Sequence, residues 1–229
     1  MSVQQLPPIA IEGHKSSGLG TPDHPMRIAT RRAAGLDADG WTSELREDVE
    51  QFFDDLAPEW NSRDTTQRVV VVRDALERGL DPLMSSGTRG SELEIRQLAV
   101  EVGSGTGTYS PLLAERFANV VAVDLSHAML KFAPASPAHR VQSDGAQLPL
   151  RDGAADAVVL INAFLFPSEV TRVLSHRGVL VWVNSSGEKT PIHLSVDDLL
   201  ARLPGGWNGV ASRAGEGLWC VLRRTTAHS

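Results

Sequence analysis

The run Glu101-Val-Gly-Ser-Gly-Thr-Gly107 sets glycine at alternate positions directly after the apolar residues Leu98–Val102. An apolar strand that turns through Gly103, Gly105 and Gly107 into a helical pattern brings bare backbone close to a ligand, as only side-chain-free positions allow. Such a turn suits the polar part of a nucleotide. About twenty residues on, Asp124 ends a second apolar run, at the spacing where a carboxylate can accept both hydroxyls of a ribose. Asp124 also suits the cap of the following helix, a role that Ser126 shares. Asp144-Gly-Ala146 follows a third run at a similar interval and offers an acceptor side chain and a backbone donor fit to read an adenine edge. A fourth run, reached through Leu148-Pro-Leu-Arg-Asp-Gly153, ends at Ile161 and delivers Asn162 to the same edge. In an open α/β sheet the carboxyl ends of the strands border one crevice, so these residues are expected to face one ligand.

The elements that must position them follow from periodicity. Strand-like runs at 98–102, 119–123, 140–143, 156–161 and 179–184 alternate with helical patterns at about 107–117, 126–132, 168–174 and 195–203. This alternation predicts an α/β fold: a doubly wound, mostly parallel sheet covered by helices on both faces. Gly206 to Arg224 holds two strand-like runs around a glycine-rich turn, with no helix between them, which predicts a closing antiparallel hairpin. Upstream, Leu45, Val49, Phe52, Phe53 and Leu56 recur at helical spacing after Ser43, which can cap them, and stop at Pro58. A second helix is suggested by Asp64 as cap, by Val69, Val72, Ala75 and Leu76 on one face, and by Gly79 as terminator, although Val69–Val72 equally suits a strand. The expected organisation is a flexible arm over 1–40, a helical lid segment over 41–79, a polar linker over 80–97 and the main α/β domain over 98–225.

Composition narrows the function classes. The chain has 229 residues, with 22 Lys+Arg against 28 Asp+Glu and a formal charge of -6. Those charges are scattered, which argues against a long nucleic-acid site. Cys220 alone excludes an internal disulfide, and no paired Cys/His spacing offers a metal site. No apolar run approaches the ~20 residues needed to cross a bilayer, and the first residues lack the pattern of a signal peptide. The expectation is a soluble cytoplasmic protein without a membrane partner.

The sequence resembles the class I S-adenosylmethionine-dependent methyltransferase family. The family's first motif is matched by Glu101-Val-Gly-Ser-Gly-Thr-Gly107, its second by Val123-Asp-Leu-Ser-His-Ala-Met-Leu130, and its third by Ser143-Asp-Gly-Ala-Gln-Leu-Pro-Leu150. Arg172-Val-Leu-Ser-His-Arg-Gly-Val-Leu-Val181 is similar to the family's approach to its fifth strand, and the resemblance covers roughly the last 130 residues. It implies a seven-stranded sheet whose last strand is antiparallel, S-adenosyl-L-methionine as cofactor and S-adenosyl-L-homocysteine as product. By the same resemblance, Gly103 and Gly105 would approach the methionine and ribose part of the cofactor, within the turn that Gly107 closes. Asp124 would take its ribose hydroxyls, Leu125 one adenine face, and Asp144, Gly145 and Ala146 the adenine edge, while Glu101 would organise the loop. Two features depart from the pattern: Ser175-His-Arg-Gly178 replaces the usual Lys/Arg-Pro-Gly-Gly turn, and the segment Asn162–Arg177 is short.

Methyl transfer from a sulfonium is an in-line displacement with an activated leaving group, so alignment and exclusion of water matter most and a base is optional. His193, after the fifth strand, is the candidate base; it suits a solvated loop position as well. Asn162 could hydrogen-bond cofactor or acceptor, or satisfy local backbone. Trp60 and Arg63, near a break between helices, suit a flap over the pocket, and Phe164 joins them as a candidate substrate or lid residue; Phe52, Phe53 and Trp60 would otherwise pack on the outer helices. Asn162 lacks the following Pro-Pro-aromatic pattern of amino-methyltransferases acting on nucleic-acid bases, which together with the acidic balance points to a small-molecule acceptor. A cofactor-binding regulatory protein without turnover is the alternative. A nicotinamide-dependent oxidoreductase needs Gly-x-Gly-x-x-Gly, but the last position is Thr108 or Ser110 in the two registers.

Overall fold

The computed structural model describes residues 2–14, 20–63, 66–85 and 97–225. Its strands are β1 (Ser2–Gln5), β2 (Leu98–Val102), β3 (Asn119–Asp124), β4 (His139–Gln142), β5 (Ala155–Ile161), β6 (Leu174–Asn184), β7 (Trp207–Ala214) and β8 (Gly217–Arg224). Its α-helices are α1 (Pro25–Ala33), α2 (Ser43–Leu56), α3 (Thr66–Asp74), α4 (Asp81–Ser85), α5 (Ser110–Ala114), α6 (His127–Phe132), α7 (Pro167–Val173) and α8 (Val196–Arg202). One sheet holds all eight strands in the order β4-β3-β2-β5-β6-β8-β7-β1. Every pairing is parallel except those of β8, which runs antiparallel to both β6 and β7. The chain winds outward from β2 through β3 to β4, then returns to the other side of β2 with β5 and β6. The strand order therefore reverses at β2, and a crevice opens there above the carboxyl ends of β2 and β5.

Burial explains why these runs read as almost continuously apolar. Val100, Val158, Leu160, Leu180 and Trp182 pack on one face of the sheet with Leu165, Val170 and Leu199. The alternate residues Ala99, Val159, Val181 and Val183 pack on the other with Leu76, Leu80 and Leu113. A parallel sheet covered on both sides requires this. The edge strand β4, by contrast, is mostly exposed.

Several expectations are corrected. The sheet has eight strands, not seven, because β1 adds to the outer edge in register Ser2 with Asn208. The described part of the expected arm is ordered structure: beyond β1, α1 starts at Pro25 with the His24 side chain accepting from Met26 N at 3.1 Å, and it buries Met26, Ala29, Thr30 and Ala33. Thr42, not Ser43, caps α2. Val69–Val72 is helical, with Val71 and Val72 fully buried, while the expected cap Asp64 lies outside the described residues. Gly79 does not end that helix. The backbone passes through a π-helical turn over Ala75–Leu80 into α4, so the expected linker starts as helix, and 86–96 lie outside the described residues. A Cβ on Gly79 would stand 2.5 Å from Val221 Cγ2 and 2.9 Å from the Trp219 ring, so glycine here permits close packing of helix on sheet. The helix expected over 107–117 is confined to α5, and β6 starts at Leu174, five residues early, with a register shift opposite Ala155–Ala157. Among the described residues no helix is long and apolar enough to cross a membrane.

A buried polar knot holds this helix to the sheet. Asp74 accepts from Trp219 Nε1 at 2.7 Å and from Arg78, whose guanidinium also lies over the Trp219 ring and donates to the carbonyl of Pro7. Removing the carboxylate strands a buried N–H and a cation together. Asp74→Ala is expected to lower stability in urea unfolding by about 2–4 kcal/mol; an unchanged midpoint would show that the knot contributes nothing.

Candidate functional site

The crevice at the switch point is an open cleft, about 910 Å³ with the open solvent at its mouth included. Its floor is the turn after β2, where Gly103, Gly105 and Gly107 have φ of +69°, +55° and +74°, a left-handed region that L side chains disfavour. Gly103 N and Ser104 N both donate to Val123 O, at 2.8 and 3.0 Å, which folds the turn over the end of β3. Asp124 fastens it there: Oδ2 accepts from Gly105 N at 2.7 Å and Oδ1 from Ser126 N at 2.8 Å. Burial pushes the Asp124 carboxyl up to about 6, against the pull of those backbone bonds. Glu101, buried beneath the turn, accepts from Ser110 Oγ at 2.5 Å, and its burial pushes it up to about 7. Ser104 lines the cleft, and its hydroxyl is buried without a partner among the described residues.

The next strand end supplies the second acid. Asp144 Oδ1 accepts from Ala146 N at 2.8 Å and so shapes its own turn, while Oδ2 accepts from Trp41 Nε1 at 3.0 Å. Gly145 lies so close to Phe166 and Val102 that a Cβ would meet them at 2.9 and 3.1 Å. Leu125 lines the wall between the two acids. Asn162 has φ of +50°; its Oδ1 accepts from Ser185 N at 2.8 Å and its Nδ2 donates to Ser185 Oγ at 2.9 Å. It borders the cleft, but its amide is committed to joining the ends of β5 and β6. The turn it makes carries Phe164 onto the cleft wall.

The N-terminal segment forms the roof. Asp54 on α2 accepts from Ser126 Oγ and, at 3.3 Å, from Ala128 N, which docks α2 on the start of α6. Trp60 packs edge-on against Phe53, 5.8 Å between ring centres, and its indole lies close over Gly105. Asn61 Oδ1 accepts from Thr106 Oγ1 at 2.5 Å. Arg63 ends the 3₁₀ turn Ala57–Arg63, and its side chain lies outside the described residues. His193 does not border the cleft; its Nδ1 faces Asn184 Oδ1 at 2.8 Å, and Asn184 Nδ2 donates to Ile192 O, so the proton on that imidazole is assigned to Nδ1. Burial lowers the His193 pKa, and Arg27 lowers it further.

Sequence reasoning missed Trp41, Val49, Arg68, Tyr109 and Ile192, all of which line the cleft. Arg68 and Val49 were hidden inside helical patterns. Trp41 had a signal, an isolated aromatic after Gly40 and before the Thr42 cap, where burial against something distant is its most economical use.

Both buried acids make stability depend on pH. Their folded pKa values lie above those of the unfolded chain, so between roughly pH 4.5 and 7 the folded state binds more protons and stability falls as pH rises. Glu101→Gln is therefore expected to flatten the loss of urea-unfolding stability between pH 5.5 and 7.5; the same slope in both proteins would exclude Glu101 as its source.

With this geometry established, comparisons with known proteins place it. Residues 100–182 match the methyltransferase domain family. A malonyl-[acyl-carrier protein] O-methyltransferase of Geobacter sulfurreducens is 30% identical over 112 residues, which are 46% of this chain and 40% of that protein. The chain thus spans well under half the length of that curated relative. Among solved structures, a DhpI–SAH complex superposes with a TM-score of 0.59 at 21% identity, over 80% of this chain and 98% of that one. Its likeness establishes the fold. The segment that matches the methyltransferase domain family takes in the glycine turn, both acids and Asn162.

Proposed function

We propose that the chain binds S-adenosyl-L-methionine in this cleft and transfers its methyl group to O, N or C of a small-molecule acceptor. The observation that carries this reading is the convergence of a left-handed glycine turn with Asp124 and Asp144, on successive strand ends, around one crevice. The fit has independent support in the buried Ser104 hydroxyl without a partner and in the open backbone at Gly103 and Gly105. The cofactor supplies a methyl group already activated on a sulfonium.

The remaining work falls to the chain. Asp124 keeps lone pairs beyond its two backbone bonds for the ribose hydroxyls, and Asp144 faces the adenine edge beside Leu125. Trp60 and Phe53 roof the glycine turn and exclude water from it. Arg68 brings a cation to the cleft wall, suited to the carboxylate of the aminoacyl tail. Val49, Phe164 and Ile192 give the acceptor space an apolar lining, and the net charge of -6 favours a small acceptor over nucleic acid. A relative named for O-methylation makes oxygen acceptors the first to assay. The single thiol, Cys220, is buried, and burial pushes it up to about 12, which keeps it unreactive.

Calorimetric titration with S-adenosylhomocysteine, followed by transfer of labelled methyl to a panel of carboxylates, phenols and amines, tests this. Binding of this product is expected, weakened by about 1–3 kcal/mol in Asp124→Ala and falling as pH drops through about 6, where Asp124 protonates. Binding of NAD without binding of S-adenosylhomocysteine would overturn the reading. Binding without turnover of any acceptor would favour a regulatory role.

A further inference from the structure

One contact between the N-terminal segment and the cofactor loops falls on the residue expected to read adenine. Trp41 donates its indole N–H to Asp144 Oδ2 at 3.0 Å, lies edge-on to Phe166 at 5.1 Å and tilts against Phe164 at 5.5 Å. Indole and adenine share a shape and a polarity: each is a flat fused bicycle that presents an N–H donor at its edge. An acid at a strand end, an apolar wall and an N–H donor facing the acid are what a purine subsite would contain once loaded.

The backbone around Trp41 is built to let it leave. Gly40 has φ of +62°, and a Cβ there would meet nothing within 4 Å. On its other side Thr42 already begins the cap of α2. Upstream, the turn over 34–39 is tied to α1 by the ion pairs Arg31–Asp37 and Arg32–Asp39, and to α8 by Arg202 donating to Ala34 O. Both neighbouring helices thus have anchors besides Trp41, whose ring also packs against the cluster of Met26, Ala29, Val49 and Ile192.

We propose that Trp41 is a built-in occupant of the purine subsite, bound to Asp144 in the cofactor-free chain and displaced from it by the adenine of the incoming cofactor. This rests on the adenosyl reading of the cleft. Because the closed form must open before the cofactor binds, apparent affinity is reduced by the fraction of molecules in which Trp41 is withdrawn. Displacement also frees an indole beside Phe164 and Phe166, on the wall expected to border the acceptor. Loading of the cofactor and shaping of the acceptor space are then one event.

The test is calorimetric and stopped-flow titration of S-adenosylhomocysteine into the wild-type chain, Trp41→Ala and Trp41→Phe. Phe keeps an aromatic ring against Phe164 and Phe166 but has no N–H for Asp144, and thermal melts check that each variant folds. Both variants are expected to bind roughly threefold to tenfold more tightly than wild type, chiefly through faster association. Unchanged or weaker binding in a folded Trp41→Phe would overturn the proposal and make Trp41 a wall of the subsite. No binding by any of the three proteins would instead overturn the adenosyl reading itself, and the proposal with it.

Discussion

Asp124 is a carboxylate taken almost completely out of water and held there by two backbone N–H groups approaching from different elements. One comes from Gly105, in a left-handed conformation that aims it back toward the end of β3; the other comes from Ser126, at the start of α6. Burial of an acid is costly unless it is hydrogen-bonded, and these bonds offset that cost only if both loops keep their shape. The glycine turn, the end of β3 and the start of α6 are therefore one unit. Substituting Gly105 would strain the turn and press on Trp60, so the acid, the turn and the roof constrain one another.

The roof belongs to the site. Its contacts fall on the loops that form the crevice: Asp54 on Ser126 and Ala128, Asn61 on Thr106, Trp60 over Gly105, and Trp41 on Asp144. The start of this segment is anchored separately. Arg27 on α1 donates to the carbonyls of Gly20, Glu188, Thr190 and Pro191, and β1 extends the sheet beside β7. Fixed anchors at one end and polar contacts to the crevice at the other are what a closing flap needs. They also explain why the cleft is bordered by N-terminal residues that lie outside the segment matching the methyltransferase domain family.

The α/β core was legible because its strands are buried on both faces, which writes long apolar runs into the sequence; β2 falls over 98–102 as expected. The glycine turn and both acids were legible because backbone approach and carboxylate chemistry tolerate few residue types. What was lost had weak or misleading local signals. Ser2–Gln5 is an edge strand of four residues with little burial, so no alternation marks it, and its partner lies some two hundred residues away. Gly79 carries the composition of a helix stop, yet its role is set by Val221 and Trp219 on a distant strand. His193 has the right residue type at the right loop, but its ring is engaged by Asn184, away from the cleft lining. Trp41 meets Asp144 only through the fold, across a separation no pattern reports.

The central claim is that one crevice, pinned by Asp124, takes an adenosyl-methionine cofactor with its ribose on Asp124 and its purine toward Asp144. A crystal structure of the chain with bound S-adenosylhomocysteine tests it most directly. The account predicts ribose hydroxyls within hydrogen-bond distance of Asp124 and the adenine edge facing Asp144. Density for the ligand anywhere else, or a ribose with no contact to Asp124, would contradict it.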